Sequence, residues 1–246
     1  MENKIYLQYL GGKSKIAKYL LPIILEDRKE NDWLEKQWYI EPFVGGANVI
    51  DKVDGRRIAN DNNFYLISLW KALQKGWDPP AKVTRKEYCK IRSNVDNYTP
   101  ELVVFVAYLC SYGGKWWGGY ASNLKNHNHA ATGRNVLLRQ IKYLQDVEFT
   151  CKNYWEMDIP NDSVIYCDPP YEGTEKYGFK RLEDKFDNDR FWQWCRDKNV
   201  EGHTVFISEY HAPDDFEELI SINHRLLLNK KIDSCRIEKL FKLKKR

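Results

Sequence analysis

The feature that most constrains the fold of this chain is an alternation of short apolar strands and amphipathic helices towards both of its ends. A strand is predicted over residues 37–43, and a Gly-Gly turn, a helix and a second strand at 57–60 follow it. After a long interruption, apolar strands return at 147–151 and 163–167. Strands that alternate with crossover helices pair in parallel within one sheet, so the sequence predicts an α/β fold.

The same spacing rules place the remaining elements. Apolar residues recur every three or four positions in predicted helices, whereas predicted strands are short apolar or alternating runs. The interruption, residues 76–146, carries no strand pattern, and its apolar run at 102–110 predicts a buried helix segment. Further helices are predicted over 14–30, 62–74, 187–198 and 213–220, and further strands over 203–208, 224–228 and 236–243.

Composition excludes several classes of protein. Of the 246 residues, 43% are hydrophobic and 30% are charged, which is typical of a soluble globular protein and not of a disordered chain. No segment approaches the ~18 consecutive apolar residues of a membrane-spanning helix, and the first residues carry no apolar secretion signal. The six cysteines show no CxxC pair and no zinc-binding spacing, so we expect reduced thiols in a cytosolic protein.

The first chemical motif follows the first predicted strand. In Glu41-Pro-Phe-Val-Gly-Gly-Ala-Asn48 a sharp glycine turn leads into a helix, which lets a nucleotide-like ligand approach the backbone. Asp61 ends the next strand about twenty residues later, where a carboxylate can accept both hydroxyls of a ribose. The glycines are also compatible with plain turn geometry, and Asp61 with a helix N-cap.

The second motif, Asp168-Pro-Pro-Tyr171, lies at the carboxyl end of an apolar strand, the edge where open α/β sheets bind ligands. Proline has no N–H, so the carbonyl groups of this turn stay free to accept. A carboxylate beside such a carbonyl makes a two-acceptor site for an NH2 group, and the Tyr171 ring can stack on a planar base. A capped turn with a structural tyrosine is the alternative.

The segment between the motifs is basic. No Asp or Glu occurs between Leu102 and Gln145. The cations of this segment can bind the phosphates of a nucleic acid, and its loop of glycine and aromatic residues can enter a groove. A solvated basic face is the alternative. His127 and His129 have no third ligand nearby in the sequence, so no metal site is predicted. The candidate nucleic-acid contacts are Lys115, Trp116, Lys125, Arg134 and Arg139.

With these motifs in this order, the chain resembles the Dam-like, alpha-group DNA adenine N6-methyltransferases of bacteria and phages. Tyr9-Leu-Gly-Gly-Lys13 is similar to the family's N-terminal cofactor motif, and residues 41–46 are similar to its main S-adenosylmethionine turn. Asn60-Asp61 is similar to its ribose-binding acid, and residues 164–171 to its catalytic motif. The resemblance covers nearly the whole chain, in the family's order of cofactor half, recognition insert and catalytic half.

The resemblance implies a Rossmann-like S-adenosylmethionine-dependent methyltransferase sheet, formed by residues 1–75 and 147–246, with a small, mainly helical target-recognition lobe inserted at 76–146. It implies methyl transfer from S-adenosylmethionine to the N6 amine of a flipped adenine in double-stranded DNA by direct displacement. The implied catalytic residues are Asp168, Pro169, Pro170 and Tyr171, and the implied cofactor-binding residues are Tyr9, Gly12, Lys13, Pro42, Phe43, Gly45, Gly46, Asp61 and Asp168.

The resemblance also implies a cytoplasmic enzyme of a bacterial cell or a phage-infected host that needs neither metal nor membrane. We expect a monomer, with a dimer as the alternative, and leave restriction protection and regulation open as biological roles. The same fold acting on cytosine N4 or RNA, or an inactive nucleic-acid-binding homologue, are the alternatives. Asp168, where a serine would favour cytosine, favours adenine. A nicotinamide dehydrogenase is excluded, because no Gly-x-Gly-x-x-Gly fingerprint is present.

Overall fold

The computed structural model describes residues 12–26, 37–122, 128–171, 186–225 and 235–244. Within these ranges seven strands form one sheet in the order β3-β2-β1-β4-β5-β7-β6. Neighbouring strands from β3 to β5 are parallel, whereas β7 runs antiparallel to both β5 and β6. The strands are β1 (Tyr39–Glu41), β2 (Arg57–Asn60), β3 (Glu148–Thr150), β4 (Val164–Cys167), β5 (Thr204–Glu209), β6 (Phe216–Arg225) and β7 (Cys235–Leu243).

Helices cover both faces of this sheet, which confirms the predicted α/β, Rossmann-like architecture. The helix α4 continues directly into a π-helical turn at Phe105–Leu109. Short 3-10 turns occur at Ile50–Lys52, Val95–Asn97, Tyr112–Gly114, Ile141–Tyr143 and Tyr154–Glu156. The α-helices are α1 (Ala17–Ile24), α2 (Phe64–Gln74), α3 (Arg85–Ser93), α4 (Pro100–Val104), α5 (His129–Gln140) and α6 (Asn188–Val200).

Alternating side chains of the buried strands enter two different cores. Tyr39 and Tyr166 pack into a large cluster with α1 and α2, whereas Ile40 and Ile165 pack on the opposite face against α6. Successive side chains of a strand point to opposite faces, so strands covered on both sides are mostly apolar. This explains why β4 is a continuous apolar run, whereas β1 and β2 are apolar at their centres and carry buried polar residues at their ends.

The described residues of the segment 76–146 are mainly helical, as the sequence pattern indicates. Val104 of α4 and Leu137 of α5 pack in the same cluster as Leu66 of α2, so these helices share a core with the sheet. The division of the chain into a catalytic domain and an inserted lobe at 76 and 146 stays a prediction.

Two predicted helices differ from the structure. The glycine turn after β1 leads only into the 3-10 turn Ile50–Lys52, because the chain re-enters the sheet as β2 only four residues later. The segment 213–220 is not a helix: it enters β6 at Phe216. Phe216 and Ile220 are four positions apart in the sequence, which is the spacing of one face of a helix. In the structure both lie in β6, whose pairing with β7 shifts register between Glu218 and Ile220.

The other predicted elements agree with the structure where it describes them. The predicted helices at 62–74 and 187–198 correspond to α2 and α6, and the strands at 203–208 and 236–243 correspond to β5 and β7. The helix predicted over 14–30 is present as α1. Residues 27–30 and 226–228, the ends of two predicted elements, lie outside the described residues.

Candidate active site

The candidate site lies where the carboxyl ends of three adjacent strands meet. The strands β2, β1 and β4 are neighbours in the sheet, and they are followed by Asp61, Pro42 and Asp168 respectively. Ligands of open α/β sheets bind along this edge. The fold therefore brings both predicted motifs to one place.

Asp61 is held by two backbone N–H groups. Its Oδ2 accepts a hydrogen bond from Gly45 at 3.0 Å, and its Oδ1 accepts one from Asn63 at 2.9 Å. Burial raises the pKa of Asp61 to about 6, against the opposing effect of these two donors. A carboxylate has about four acceptor positions, so Asp61 retains capacity for further donors.

Asp61 is not the N-cap of the following helix. Asn63 caps α2, since its Oδ1 accepts hydrogen bonds from the backbone of Tyr65 and Leu66 at 3.1 and 3.5 Å. The capping role that the sequence left open for Asp61 belongs to a residue two positions later. Asp61 instead ties the end of β2 to the glycine turn.

The glycine turn after β1 is fixed from behind by two long side chains. Trp70 Nε1 donates to the Gly45 carbonyl at 3.1 Å, and Gln140 Nε2 donates to the carbonyls of Gly46 and Ala47, each at 3.0 Å. Gly45 and Ala47 both adopt positive φ, +47° and +51°, which glycine tolerates better than alanine. The turn is thus held on both sides, since the Gly45 N–H also donates to Asp61.

Pro42 and Phe43 follow β1 and line the candidate site beside the glycine turn. The Pro42 carbonyl accepts a hydrogen bond from buried Asn60 at 3.0 Å. The half-exposed Phe43 ring lies 5.2 Å from the Tyr154 ring and 5.8 Å from the Phe191 ring. Phe43 therefore presents an aromatic surface that is anchored by its neighbours.

A buried ion cluster surrounds the second motif. Lys13 Nζ lies 2.8 Å from Asp168 Oδ1 and 3.1 Å from Glu238 Oε1. The Tyr171 hydroxyl donates to Glu238 Oε1 at 2.9 Å, and Lys13 Nζ lies 4.6 Å from the centre of the Tyr171 ring. Three distant chain segments thus meet, and Lys13 links the N-terminal motif to the second one.

The electrostatics of this cluster favour an ionised pair of Asp168 and Lys13. Burial raises the pKa of Asp168 to about 6, and Glu238 adds to the rise, while Lys13 opposes it. Burial disfavours the charge on Lys13, but the attraction of Asp168 and Glu238 outweighs this and raises its pKa. At neutral pH Asp168 is therefore a carboxylate, although one that protonates far more readily than an exposed aspartate.

Aromatic and polar groups from β5 complete the wall around Tyr171. The Tyr210 ring meets the Tyr171 ring edge-on, with centres 4.7 Å apart and planes at 83°. Glu209 accepts the backbone N–H of Tyr210 at 2.5 Å. Pro169 is buried and Pro170 is half-buried, so the two prolines form a fixed turn below the ring.

Cys167 points away from this site. Its side chain is buried in the core on the α6 face, beside Cys195, and burial raises the pKa of its thiol well above the ordinary value. It packs as a small apolar group, as the sequence predicts. The thiols of Cys89, Cys110, Cys151, Cys167 and Cys195 are all free.

The predicted nucleic-acid contacts lie in two places. Lys115 and Trp116 belong to a loop closed by a bridge between Ser111 and Tyr120, and the Trp116 ring packs 5.3 Å from Tyr65 at the start of α2. This loop therefore borders the candidate site. Tyr9 and Lys125 lie outside the described residues.

The two arginines of α5 have partners within the chain. Arg134 forms a two-pronged ion pair with Asp78, at 2.7 and 2.8 Å. Arg139 is exposed, and its Nε donates to the Asn135 carbonyl at 3.1 Å. Since Asp78 precedes the acid-free window, its pairing with Arg134 was not visible in the local sequence pattern.

Sequence reasoning missed three residues that hold the site. Glu238 contacts Lys13 in the ion cluster, and Gln140 contacts the glycine turn. Asn60 joins the ends of β1 and β3 through the carbonyls of Pro42 and Lys152. A signal existed for Glu238, because it shares a strand face with buried Leu240. An acid on the core face of a strand is unusual unless it is paired.

The described residues contain neither a metal-binding cluster nor a membrane-spanning helix. No cluster of three or more His, Cys, Asp or Glu suited to a metal ion occurs among them, and His127 lies outside them. In the same ranges, no helix is both long and apolar enough to cross a membrane.

Comparison with known families identifies the chain. The model of the D12 class N6 adenine-specific DNA methyltransferases matches residues 9–101 and 110–233. The chain belongs to this family. Membership makes it an adenine-specific DNA methyltransferase, which favours adenine in DNA over the cytosine and RNA alternatives.

Individual methyltransferases agree with this assignment. The chain is 25% identical over 279 aligned positions to the type II methyltransferase M.MjaIII of Methanocaldococcus jannaschii, with 97% of this chain and 96% of that enzyme covered. It is 25% identical to a DNA adenine methylase of Vibrio cholerae, with 69% and 66% covered. It is 28% identical to the modification methylase StsI of Streptococcus sanguinis, with 67% of this chain and 28% of that enzyme covered.

Proposed function

We propose that this edge of the sheet binds S-adenosylmethionine on the Asp61 side and an adenine flipped out of duplex DNA on the Asp168 side. The observation that carries the proposal is the Asp168 carboxyl group, held by Lys13 at 2.8 Å, two strands away from Asp61. Two strand spacings amount to about 10 Å. This separation suits a ribose at one carboxylate and an amine at the other, joined by the reacting methyl group.

The residues around Asp61 fit the ribose half of the cofactor. Each Asp61 oxygen accepts one backbone N–H and keeps a lone pair for a hydroxyl donor. The anchored Phe43 ring offers a face for a planar base. When bound, S-adenosylmethionine supplies a methyl group on a positively charged sulfur. Gly12, Lys13, Pro42, Gly45 and Gly46 are the further proposed contacts.

Asp168 is the proposed acceptor for the adenine amine. The lone pair of this amine is delocalised into the ring, so the free base is a poor nucleophile. An acceptor pair made of the Asp168 carboxylate and a carbonyl of the Pro169 turn holds both N–H groups and directs the lone pair outward. As the amine nitrogen bonds to the methyl carbon, the carbon–sulfur bond of S-adenosylmethionine would break and the sulfur would keep its electron pair. The nitrogen would lose one proton, which Asp168 is placed to accept.

Lys13 and Glu238 are proposed to position this carboxylate. Lys13 fixes one oxygen of Asp168 at 2.8 Å, and Glu238 fixes Lys13 in turn. Aligning the reactants is the main requirement of a direct displacement and can remove ~7–11 kcal/mol of barrier. This cluster performs that alignment with the protein's own charges.

Tyr171 is the proposed stacking surface for the flipped base. Its ring is held through its hydroxyl by Glu238 and edge-on by Tyr210. Extruding a base from the duplex costs a few kcal/mol, which stacking and pocket contacts offset. Lys115, Trp116 and the segment 76–146 around them would then contact the duplex from which the base came.

Mass spectrometry of nucleosides tests the proposal. Duplex DNA of mixed sequence is incubated with the protein and S-adenosylmethionine and then digested, with RNA as a parallel substrate. We expect N6-methyladenine from DNA and none with Asp168→Asn. Methylcytosine or a methylated RNA base would contradict the proposed substrate. Absence of any methylated base, with S-adenosylmethionine bound, would contradict catalysis on the DNA offered.

A further inference from the structure

We propose that the outer face of α3 binds the phosphodiester backbone of the DNA substrate. This inference rests on the proposed function and adds a contact surface that lies outside the acid-free window of the sequence. The α3 basic face consists of Arg85, Lys86, Lys90 and Arg92, all of which are exposed. The opposite side of the helix is buried through Tyr88 and Ile91.

The charge of this face is not neutralised by the protein. Within the described part of the chain, none of its four cations forms an ion pair with a carboxylate. The one acid of the helix, Glu87, accepts hydrogen bonds from the Thr84 backbone and hydroxyl, each at 2.7 Å. These bonds lower the pKa of Glu87, with a smaller contribution from Lys82. Glu87 is thus committed to the cap of its own helix.

Two features of the arrangement cost helical stability that an anion would restore, although Lys90 and Arg92 in the last turn suit the helix dipole. Lys86 and Lys90 are one turn apart on the same side, where like charges repel. Arg85 and Lys86 also lie in the first helical turn, where the helix dipole disfavours cations. A polyanion against this face relieves both effects at once. A phosphate backbone is the occupant whose charge and length match a row of cations along a helix.

The position of α3 connects this face to the candidate site. The Tyr88 hydroxyl is hydrogen-bonded to Ser111 at 2.8 Å, and its ring lies 5.2 Å from that of Trp117. Arg85 lies over the Tyr120 ring at 5.6 Å. The buried side of α3 therefore packs on the loop that carries Lys115 and Trp116, and Arg85 connects the α3 basic face to that loop. The loop in turn borders the Asp61 edge through Tyr65.

The contrast with α5 supports this assignment. Arg134, a predicted contact, already shares its charge with Asp78, so it has less to gain from a phosphate. Among the residues that the structure describes, no carboxylate pairs with the α3 cations. The surface best able to bind phosphates thus lies upstream of the window that sequence composition singled out.

Salt dependence of DNA binding tests the proposal. The exposed pair Lys86 and Lys90 is replaced in the double variant Lys86→Gln/Lys90→Gln, since glutamine keeps the helix propensity. Each lost phosphate contact lowers the log–log salt slope by about 0.9. We expect a slope shallower by about 1.8, so that the affinity deficit of the variant shrinks about tenfold between 50 and 200 mM salt. The loss should be equal on all duplex sequences.

The matched control is Lys71→Gln/Lys75→Gln, which removes two lysines with the same spacing of four. Both are exposed and lie at the end of α2, outside the segment 76–146. Control DNA binding should equal that of the unmodified protein. Both double variants should keep the thermal midpoint and the affinity for S-adenosylmethionine, because these lysines contact neither core nor cofactor site.

The outcomes separate the two proposals. If the unmodified protein methylates adenine in DNA but the α3 variant retains its salt slope, the α3 proposal is wrong and the proposed function stands. If the control lowers the slope as much as the α3 variant does, phosphate binding is not localised to α3. If the unmodified protein neither methylates nor binds DNA, the proposed function itself fails.

Discussion

The two halves of the candidate site are built in different ways. Around Asp61 the contacts run from side chain to backbone: Asp61 accepts two N–H groups, while Trp70 and Gln140 donate to the carbonyls of the glycine turn. Around Asp168 the contacts run from side chain to side chain, through Lys13, Glu238 and Tyr171. One half is a backbone cradle and the other is an ion cluster.

This difference matches the tasks that we propose for each half. A backbone cradle is fixed once the sheet has formed, so it can present a preformed surface to a cofactor. An ion cluster can tune protonation, because each charge changes the pKa of the next. Asp168 shows this, since burial and Glu238 raise its pKa while Lys13 lowers it. If the two halves work independently, cofactor binding and methyl transfer can each be lost without the other.

The largest effect is expected from Asp168→Asn. The amide cannot accept the amine proton, so methyl transfer should fall about 10²–10⁴-fold. The dissociation constant of S-adenosylmethionine should change much less, because the ribose contacts lie on the Asp61 side. Single-turnover transfer and equilibrium binding measure the two quantities. Cys167→Ala, whose side chain lies in the opposite core, is the neighbouring control, and transfer near the unmodified rate in Asp168→Asn would disprove the role.

Asp61→Asn should produce the reverse pattern. Loss of a charged hydrogen-bond acceptor costs about 1.5–3 kcal/mol, so S-adenosylmethionine should bind roughly 10–100-fold more weakly. Transfer at saturating cofactor should be much less affected than in Asp168→Asn. Asp54→Asn, an exposed acid before β2, serves as the control in the same calorimetric titration. Unchanged cofactor affinity in Asp61→Asn would show that Asp61 does not bind the ribose.

Gln140→Leu should weaken the fold through the cradle. The substitution leaves the buried carbonyls of Gly46 and Ala47 without their donor, at a cost of about 1–3 kcal/mol. For a chain of this size, a loss of about 2 kcal/mol lowers Tm by roughly 4–8 °C. Differential scanning fluorimetry measures this, with the exposed Gln193→Leu on α6 as the matched change. Equal midpoints for the two variants would show that the glycine turn does not depend on Gln140.

The pH dependence of transfer should reveal the ion cluster. Asp168 must be ionised to accept a proton, and its pKa is raised to about 6. Its carboxylate form, and with it kcat at saturating cofactor and DNA, should be present above this pH and fall about tenfold per unit below it. Asp61 titrates in the same range, so the profile is repeated in Asp61→Asn. If the acid limb of the profile disappears in Asp61→Asn, that limb reports the ionisation of Asp61 and not of Asp168.

The smallest effect is expected from Glu238→Gln. Glu238 raises the pKa of Asp168, so removing its charge should move the acid limb of kcat to lower pH. Glutamine can still accept from Tyr171, which leaves the ring anchored. Lys239→Gln, whose side chain pairs with Glu218, controls for any change in β7. An acid limb at the same pH in Glu238→Gln would show that this residue does not tune Asp168.

Much of the fold followed from sequence alone. The strands β1, β2, β4 and β5 are buried on both faces, so each has an apolar centre, and β4 is apolar at every position. The prediction of a helix at 213–220 was wrong because β6 has a bulge, so its apolar residues are spaced as they would be in a helix. A bulge can be recognised only when the partner strand is known. Local patterns predict an element well where burial imposes a regular period, and poorly where pairing breaks it.

The sequence by itself determined which chemistry this protein carries. Asp61 and Asp168 follow apolar strands, and the topology of parallel sheets sends the ends of such strands to one edge. Only the tertiary structure decided how these acids are held. Lys13, Glu238 and Gln140 reach the site from chain segments up to 225 residues apart, and no local period relates them. Their contacts depend on the packing of whole elements, which fixes side-chain positions that no short stretch of sequence encodes.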